Sequence, residues 1–328
     1  MFINYAIMCM VFAEKMFSDT DRTQTCGSGC AALQEDNRMP RVAVITDSNS
    51  GITQMDGKNM GISVLPMPFT IDDKTYYEDI NLTREEFFQM MADGRDIMTS
   101  QPSPGDVMDL WDKALEKNDQ VVYIPMSSGL SSSCQNARML ANDYKGRVFV
   151  VNNQRISVTQ KRSVQDAMNM AENGYDGARI RDILERERLD ASIYIMLDTL
   201  KYLKKGGRIT PAAAAIGTLM RIKPVLQIKG ERLDAFAKAR TLNQGKQTMI
   251  NTIHHDIETL YGGIEKGDVW TYAVHAQVPE AFSVFKKEVE AAFPTLPVEE
   301  GQLSLSVCCH IGPGALAMAT VRKCAYLK

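Results

Sequence analysis

VVYIPMSSGLSSSCQNARML, the stretch from Val121 to Leu140, places a β-prone run, a Ser/Gly loop and a helical pattern in direct succession. A strand that feeds a helix through such a loop leaves unpaired backbone N–H groups at the helix start, beside a cluster of hydroxyls. This arrangement predicts a site for an anion. No general base, Walker lysine or acidic metal ligand lies close by in sequence. The stretch therefore indicates binding of a negatively charged group without machinery that transforms it.

The segments around this stretch alternate between strand and helix. Short apolar strands are predicted at Arg41–Thr46, Val121–Met126 and Val148–Val151, with a helix at Cys134–Tyr144. Strands separated by helices of this length imply a parallel sheet that is covered on both faces. Ile62–Phe69 is a further apolar run, and its two prolines predict an edge or irregular strand.

The pattern changes after about residue 155. Several later strand candidates alternate apolar and polar residues, as in LDAFAKA, which predicts a sheet with one solvent-facing side. These candidates are Ser192–Leu197, Arg232–Ala237, Val269–His275 and Ser304–Cys309. Helices are predicted at Thr83–Ala92, which opens on a capping box, and at Pro104–Lys117, Gln160–Glu172, Ala178–Arg188, Gly245–Tyr261 and Pro279–Ala292. The expected fold is α/β with two domains, residues 39–155 and 156–328, and a cleft between them.

The composition excludes several classes of protein. With 328 residues, 45% of them hydrophobic and 23% charged, the chain can bury a sizeable core. A formal net charge of −3 gives no electrostatic case for nucleic acid. The seven cysteines fit neither a zinc site nor a disulfide framework, so reduced thiols in a cytoplasmic protein are expected. No run approaches the roughly 18 apolar residues of a membrane span.

The N-terminal segment, residues 1–38, is expected to be a poorly ordered extension. Its short apolar run lacks a preceding positive region and a small-residue cleavage site, which argues against a signal peptide. Met39-Pro40 then opens directly onto the first strong strand, so Met39 is a candidate for the functional start.

Three further elements can contribute to an anion site. TSQPS, Thr99–Ser103, offers two hydroxyls before a proline-stiffened turn, although taken alone a helix cap explains it better. LKKGGRI, Leu203–Ile209, turns at twin glycines and directs Arg208; the alternative is a solvated charged turn. CCHIGPGALAMA predicts a strand that ends at His310, then a Gly-rich turn and a small-residue helix. A core or surface histidine is the alternative there.

Other motifs have simpler explanations. The hydroxyls of Ser127–Ser133 can bind a carboxylate or phosphate, cap a helix, or supply a nucleophile, although no G-x-S-x-G elbow is present. GSGCAA, Gly27–Ala32, fits a dinucleotide fingerprint, yet no strand precedes it. HHDIE, His254–Glu258, lacks the H-E-x-x-H spacing, so a solvated helix face is expected and no metal site.

Eight segments in order match one family: VAVITDSNSG, PFTIDDKTYYEDINLTREEFF, TSQPSPGD, SSGLSSSCQNA, LKYLKKGGRI, IGTLMRIKPVLQIKGERL, KARTLNQ and HIGPGALA. From Met39 to about Lys323 the chain thereby resembles the DegV family, whose characterised members are bacterial fatty-acid-binding proteins of the FakB type. The resemblance implies an N-terminal parallel α/β domain and a C-terminal α/β domain with a mixed or antiparallel sheet. One long-chain fatty acid lies between them.

The resemblance also implies which residues bind the carboxylate. Thr99 and Ser128 match the positions at which the family holds it, and Ser100, Ser127 and Ser131 are neighbouring candidates. No cofactor is implied besides the fatty acid. A buried carboxylate requires hydrogen-bond donors, which agrees with hydroxyls converging from two loops.

A carrier role follows from the same resemblance. The protein would present its fatty acid to a separate fatty-acid kinase that feeds phospholipid synthesis, as a monomer with only transient membrane contact. Arg208 and His310 match the polar network around the carboxylate, and Arg240 matches a position that faces the kinase and should be exposed. Asn152-Asn153 departs from the Asp-Ser/Thr pair common in the family.

The enzyme alternative is a hydrolase or phosphotransferase that acts on a small anionic substrate. It would use Ser128 with His310 and Arg208, and it predicts turnover that Ser128→Ala abolishes. A regulatory DNA-binding protein is the third class, and the acidic charge balance argues against it.

Overall fold

Three β-sheets with helices packed against them make up the described part of a computed structural model, residues 39–208, 222–231 and 233–327. The strands are β1 Val42–Asp47, β2 Ser63–Leu65, β3 Pro68–Ile71, β4 Lys74–Tyr77, β5 Ile97–Thr99, β6 Gln120–Ile124, β7 Val148–Val150, β8 Ala191–Met196, β9 Lys223–Ile228, β10 Leu233–Ala239, β11 Val269–His275, β12 Val298–Gln302 and β13 Leu316–Arg322. The helices are α1 Gln54–Met60, α2 Arg84–Ala92, α3 Pro104–Leu115, α4 Ser133–Ala141, α5 Ser157–Glu172, α6 Gly177–Arg186, α7 Lys201–Gly206, α8 Leu242–Leu260, α9 Pro279–Ala292 and α10 Leu305–Ile311. The predicted extension at 1–38 lies outside the described residues.

The first sheet, in the order β2-β1-β6-β7, is parallel throughout. Successive residues of β6 point to opposite faces: Val122 and Ile124 pack under α5 and α6, whereas Val121 and Tyr123 pack under α3 and α4. The prediction of a parallel sheet covered on both faces is therefore confirmed. The single strand predicted at Ile62–Phe69 is two strands: β2 is an edge strand as expected, whereas β3, which begins at Pro68, is the central strand of another sheet.

The second sheet has six strands in the order β10-β9-β8-β13-β11-β12 and is mixed, because only β11 and β12 pair in parallel. The expectation of one solvent-facing side is wrong for its central strands. Tyr194 and Met196 of β8 pack against α8 and α9, while Ile193 and Ile195 belong to a second core on the opposite face. Both faces are covered, and the alternation of LDAFAKA reflects the edge position of β10, where Phe236 is exposed.

A third, antiparallel sheet in the order β4-β3-β5 presents Thr99 at the end of β5. The overall α/β fold with a parallel and a mixed sheet agrees with the prediction. The division at residue 155 stays a prediction; α5 and α6, which follow it in sequence, pack on the parallel sheet.

One stretch near the C-terminus folds differently from its prediction. The strand expected at Ser304–Cys309 is the helix α10, which carries His310 in its last turn. The small-residue helix expected after the Gly-rich turn is the strand β13, whose Ala317 and Ala319 are buried between β8 and β11. A short apolar run fits a buried strand and a buried helix equally well, and here the tertiary contacts decide.

Candidate functional site

A cavity with about 960 Å³ of empty space, part of it open to solvent, lies against the face of the six-stranded sheet opposite α8 and α9. Isoleucine, leucine, valine, methionine and alanine side chains form most of its wall, and Ile193 and Ile195 of β8 are among them. The wall also includes the end of β5, the loop after β6, the start of α5 and the helix α10. The described polar residues on the wall are Asn49, Thr99, Ser100, Gln101, Ser131, Ser157, Arg208, Ser306 and His310.

Thr99 and His310 meet on this wall, with Thr99 Oγ1 2.9 Å from His310 Nε2. The two residues are 211 positions apart and come from β5 and α10. Burial, and to a lesser degree the positive charge of Arg208, lower the pKa of His310 from 6.5 to about 4. The imidazole is therefore neutral near pH 7, with one ring nitrogen that donates and one that accepts.

The end of helix α7 positions His310 and Arg208. A Cβ atom at Gly206 would lie 2.3 Å from His310 Nδ1, so the ring packs where only a glycine leaves room. Gly207 then ends the helix in the left-handed conformation at φ +67°. Arg208 follows as an exposed wall residue, and its Nη1 donates to the carbonyl oxygen of Gly206 at 2.6 Å. The glycine turn predicted in LKKGGRI is thus present; Ile209 lies outside the described residues.

The serine loop reaches the cavity at Ser131 but not at Ser127 or Ser128. Ser127 is buried, and its Oγ donates to the carbonyl oxygen of Glu231 at 3.1 Å. Ser128 Oγ accepts from Asn152 Nδ2 at 2.9 Å. Ser127 is therefore engaged in holding the loop, whereas Ser128 accepts there and keeps its O–H free to donate.

The backbone of this loop uses several of its own N–H groups before α4 begins, while the N-cap residue of α4, Ser132, makes no side-chain cap. Leu130 N and Ser131 N donate to the carbonyl oxygen of Ser127 at 3.0 and 3.3 Å. Ser133 N donates to Ser131 Oγ at 3.2 Å. The turn is thus closed by its own hydrogen bonds, and the anion site at the start of α4 stays a prediction. The anion-compatible side chains on the described cavity wall include Thr99, Ser100, Ser131, Arg208 and His310.

Reasoning from the sequence missed Asn49, Gln101, Ser157 and Ser306 as wall residues. Asn49 follows the first parallel strand at its carboxyl end, and that position is a signal for ligand-binding residues in open α/β sheets. Ser306 was missed because the segment Ser304–Cys309, most of which belongs to the helix α10, was predicted as a strand.

Asp47 holds Asn49 in place. Its fully buried carboxylate accepts from Asn49 N at 3.0 Å, Met126 N at 2.8 Å and Gln160 Nε2 at 3.1 Å. Burial raises the pKa of Asp47, and these donors offset part of that effect. The carboxylate thereby joins β1, the loop after β6 and α5 at the edge of the cavity.

Glu78 anchors the helix that carries His310. Both carboxylate oxygens accept from Leu305 N at 2.9 Å, at the start of α10, and Arg84 Nη2 lies 3.6 Å away. Burial raises the pKa of Glu78 to about 7, although Leu305 and Arg84 act in the opposite direction.

The catalytic set of the enzyme alternative is not assembled in the described structure. Ser128 pairs with Asn152, whereas His310 pairs with Thr99. Within the described ranges no group of three His, Cys, Asp or Glu side chains could hold a metal ion. None of the described helices combines the length and apolarity that crossing a membrane requires. Arg240 is exposed, just before α8.

Comparison with known proteins identifies a matching family and similar relatives. The family model described as "Uncharacterised protein, DegV family" matches residues 41–323. The DegV domain-containing protein lin2658 of Listeria innocua is 28% identical over 85% of this chain and 97% of its own length.

Two solved structures are similar over almost their full lengths. One, described as fatty acid binding of a DegV family protein from Thermus thermophilus, has a TM-score of 0.78 and 29% identity, covering 86% of this chain and 99% of that one. The other, DegV from Bacillus subtilis, described as a fatty acid binding protein, has a TM-score of 0.77 and 25% identity, covering 87% of this chain and 100% of that one. The chain belongs to the DegV family.

Proposed function

We propose that this protein binds one long-chain fatty acid in the cavity, with the carboxylate at Thr99 and His310 and the acyl chain along the apolar wall. The observation that carries the proposal is a cavity with a mostly apolar lining and a hydroxyl–imidazole pair on its wall. The similar proteins from Thermus thermophilus and Bacillus subtilis are described as fatty-acid-binding, which supports the same ligand class here.

The apolar wall supplies the main driving force. A chain of about 14 methylenes gains roughly 11 kcal/mol on transfer from water, at about 0.8 kcal/mol each, before ordering costs. Burial of the acyl chain therefore favours binding, and the polar groups determine its direction.

Hydroxyl and imidazole donors make a buried carboxylate tolerable, because an ionised carboxylate without hydrogen bonds is costly in an apolar site. Thr99, Ser100 and Ser131 supply hydroxyls on the wall, and neutral His310 pairs with Thr99 and orients its hydroxyl. Arg208 adds a positive charge at the same wall. In this proposal Ser127 and Ser128 stabilise the loop rather than touch the carboxylate.

A carrier role completes the proposal. The protein would present its bound fatty acid to a separate fatty-acid kinase, in the cytoplasm and as a monomer with only transient membrane contact, so that the acyl group enters phospholipid synthesis. Exposed Arg240 would contact the kinase. The fatty acid is the ligand in this role, and the chemistry belongs to the partner.

The carboxylate site is tested by two substitutions measured side by side. Thr99→Val keeps the shape of the side chain and removes its hydroxyl, so we expect fatty-acid affinity to fall by roughly 1–3 kcal/mol as the carboxylate loses a donor. Ser128→Ala is the matched control from the other loop, and we expect a smaller loss because Ser128 does not line the cavity, whereas Thr99 does. Titration calorimetry with hexadecanoic acid measures both. A larger loss in Ser128→Ala than in Thr99→Val would place the carboxylate at the serine loop instead.

A further inference from the structure

Two buried polar side chains on the cavity wall have no hydrogen-bond partner among the described residues. They are Asn49, through its Nδ2, and Ser157, through its Oγ. Asn49 is 2% exposed and Ser157 is 5% exposed. A buried polar group that makes no hydrogen bond costs roughly 1–3 kcal/mol, so two of them on one apolar wall require an explanation.

The oxygen of the Asn49 amide is engaged, whereas Nδ2 makes no hydrogen bond of normal geometry. Nδ2 lies near the Asp47 carboxylate and helps to lower the pKa of Asp47. Ser306 Oγ donates to Asn49 Oδ1, and Ser306 Oγ is also 3.1 Å from Ser304 Oγ. Turning the amide over would set its oxygen against the Asp47 carboxylate, so the orientation with Nδ2 on that side is favoured. Nδ2 carries two N–H groups, and one of them remains for something inside the cavity.

Ser157 is held in an uncommon backbone conformation. It is the first residue of α5 and adopts φ +56°, which few residues other than glycine, asparagine and aspartate adopt. A glycine would take this conformation without a side-chain penalty, yet the chain places a hydroxyl here, against the cavity.

The charges on the wall restrict what these two groups can bind. Arg208 is the one permanently charged side chain among the described wall residues, and the proposed function assigns it to the fatty-acid carboxylate. A second anion at Asn49 and Ser157 would therefore be buried without a cation, which is strongly unfavourable. A neutral oxygen is suitable, because Asn49 can donate to it and a serine hydroxyl can donate or accept.

We propose that the cavity prefers acyl chains that carry a neutral oxygen substituent, a hydroxyl or a keto group, bound by Asn49 and Ser157. This inference rests on the proposed fatty-acid function and names its substrate class more narrowly. Ser306, the partner of Asn49, lies four residues before His310 on α10, which is about 6 Å along the helix axis. The substituent therefore belongs in the carboxyl half of the chain rather than at its far end.

The test compares hexadecanoic acid with hydroxyhexadecanoic acids that carry the hydroxyl in the carboxyl half or at the far end. Titration calorimetry on the full chain measures each affinity. We expect a derivative hydroxylated in the carboxyl half to bind about fivefold more tightly than hexadecanoic acid, which corresponds to about 1 kcal/mol. Asn49→Leu and Ser157→Gly should each bring this ratio close to one, and glycine suits the backbone at position 157.

Val307→Ala is the control on the same wall. It removes apolar contact from both ligands, so it should weaken both and leave their ratio unchanged. A wild-type ratio of one for every hydroxylated derivative would overturn the inference while leaving fatty-acid binding intact, since ordered water would then satisfy the two groups. A preference that survives both Asn49→Leu and Ser157→Gly would overturn it as well. Failure of every fatty acid to bind would instead refute the proposed function.

Discussion

At the scale of single residues, the neutral state of His310 is the feature on which the proposed carboxylate site depends. Burial and the charge of Arg208 both disfavour the imidazolium, and its pKa falls from 6.5 to about 4. The folded protein therefore binds fewer protons at this residue than the unfolded chain between those values. The stability that comes from neutral His310 is complete above pH 6.5 and is lost as the pH falls through the folded value of about 4.

His310→Gln removes this titration and retains hydrogen-bonding capacity. Between pH 7 and pH 4 the wild-type protein should lose roughly 3 kcal/mol more unfolding free energy than the variant does. Urea unfolding across that range measures the difference. His255→Gln, on an exposed face of α8, is the matched control and should behave like the wild type. Parallel pH profiles for wild type and His310→Gln would contradict this account.

At the scale of secondary-structure elements, the ends of α7 and α10 determine where the polar groups lie. Two adjacent glycines at the end of α7 have different functions: Gly206 leaves room for the imidazole ring, and Gly207 adopts positive φ with open space around its Cβ position. The pair therefore separates the effect of a displaced His310 from the effect of backbone strain.

Gly206→Ala should lower fatty-acid affinity by roughly tenfold, because the new methyl group displaces His310 from Thr99 and a hydrogen bond is lost. Its effect on stability should be small, since alanine favours the helix. Gly207→Ala should cost about 1 kcal/mol of unfolding free energy through its left-handed backbone and leave affinity largely unchanged. Calorimetric titration and denaturant unfolding of both variants give the comparison. An unchanged affinity in Gly206→Ala would show that the ring position does not matter.

Glu78 links the start of α10 to the pH dependence of the fold, with a sign opposite to that of His310. Its folded pKa of about 7 exceeds the ordinary 4.5, so the folded protein binds more protons there. Stability attributable to Glu78 therefore falls as the pH rises from 4.5 to about 7. Over most of this range the contributions of Glu78 and His310 to the unfolding free energy change with pH in opposite directions. The unfolding free energy of the wild-type protein therefore varies less with pH than either contribution alone.

Glu78→Gln should remove that decline: relative to the wild type, the variant should gain roughly 3 kcal/mol between pH 4.5 and pH 7. The amide oxygen can still accept from Leu305 N. Glu85→Gln, on the first turn of α2, provides a control for the loss of one carboxylate. A wild-type and a Glu78→Gln profile that run parallel would mean that Glu78 is ionised throughout this range.

Local patterns predicted those elements whose period or caps are unambiguous. The strand–loop–helix at Val121–Leu140 and the capping box of α2 are formed as expected. Local signals did not distinguish helix from strand at Ser304–Cys309, because seven residues of buried helix show no period. The direction of each hydroxyl could not be predicted from the sequence either, because it depends on distant residues: Thr99 pairs with His310, 211 positions away.

At the scale of the whole molecule, the two faces of the six-stranded sheet have different roles. One face packs against α8 and α9, and the other encloses the cavity. Arg240 lies on the surface between β10 and α8, so a partner could reach it without entering the cavity. Ligand binding and partner recognition are therefore separable by mutation in this proposal.

Arg240→Ala should leave fatty-acid affinity unchanged and slow the kinase-dependent formation of acyl phosphate at least several-fold. Lys238→Ala removes an exposed positive charge from the neighbouring strand β10 and is the matched control. The assay follows acyl phosphate formation with purified fatty-acid kinase, ATP and loaded protein. Loss of bound fatty acid in Arg240→Ala, or equal rates in all three proteins, would contradict the assignment.

The central claim is that the cavity holds a fatty acid, and native mass spectrometry of the freshly purified protein tests it most directly. Solvent extraction and identification of any bound molecule complete the measurement. The account predicts one fatty acid per chain, either retained through purification or taken up when hexadecanoic acid is added. A protein that is empty and also refuses added fatty acids, hydroxylated ones included, would contradict it.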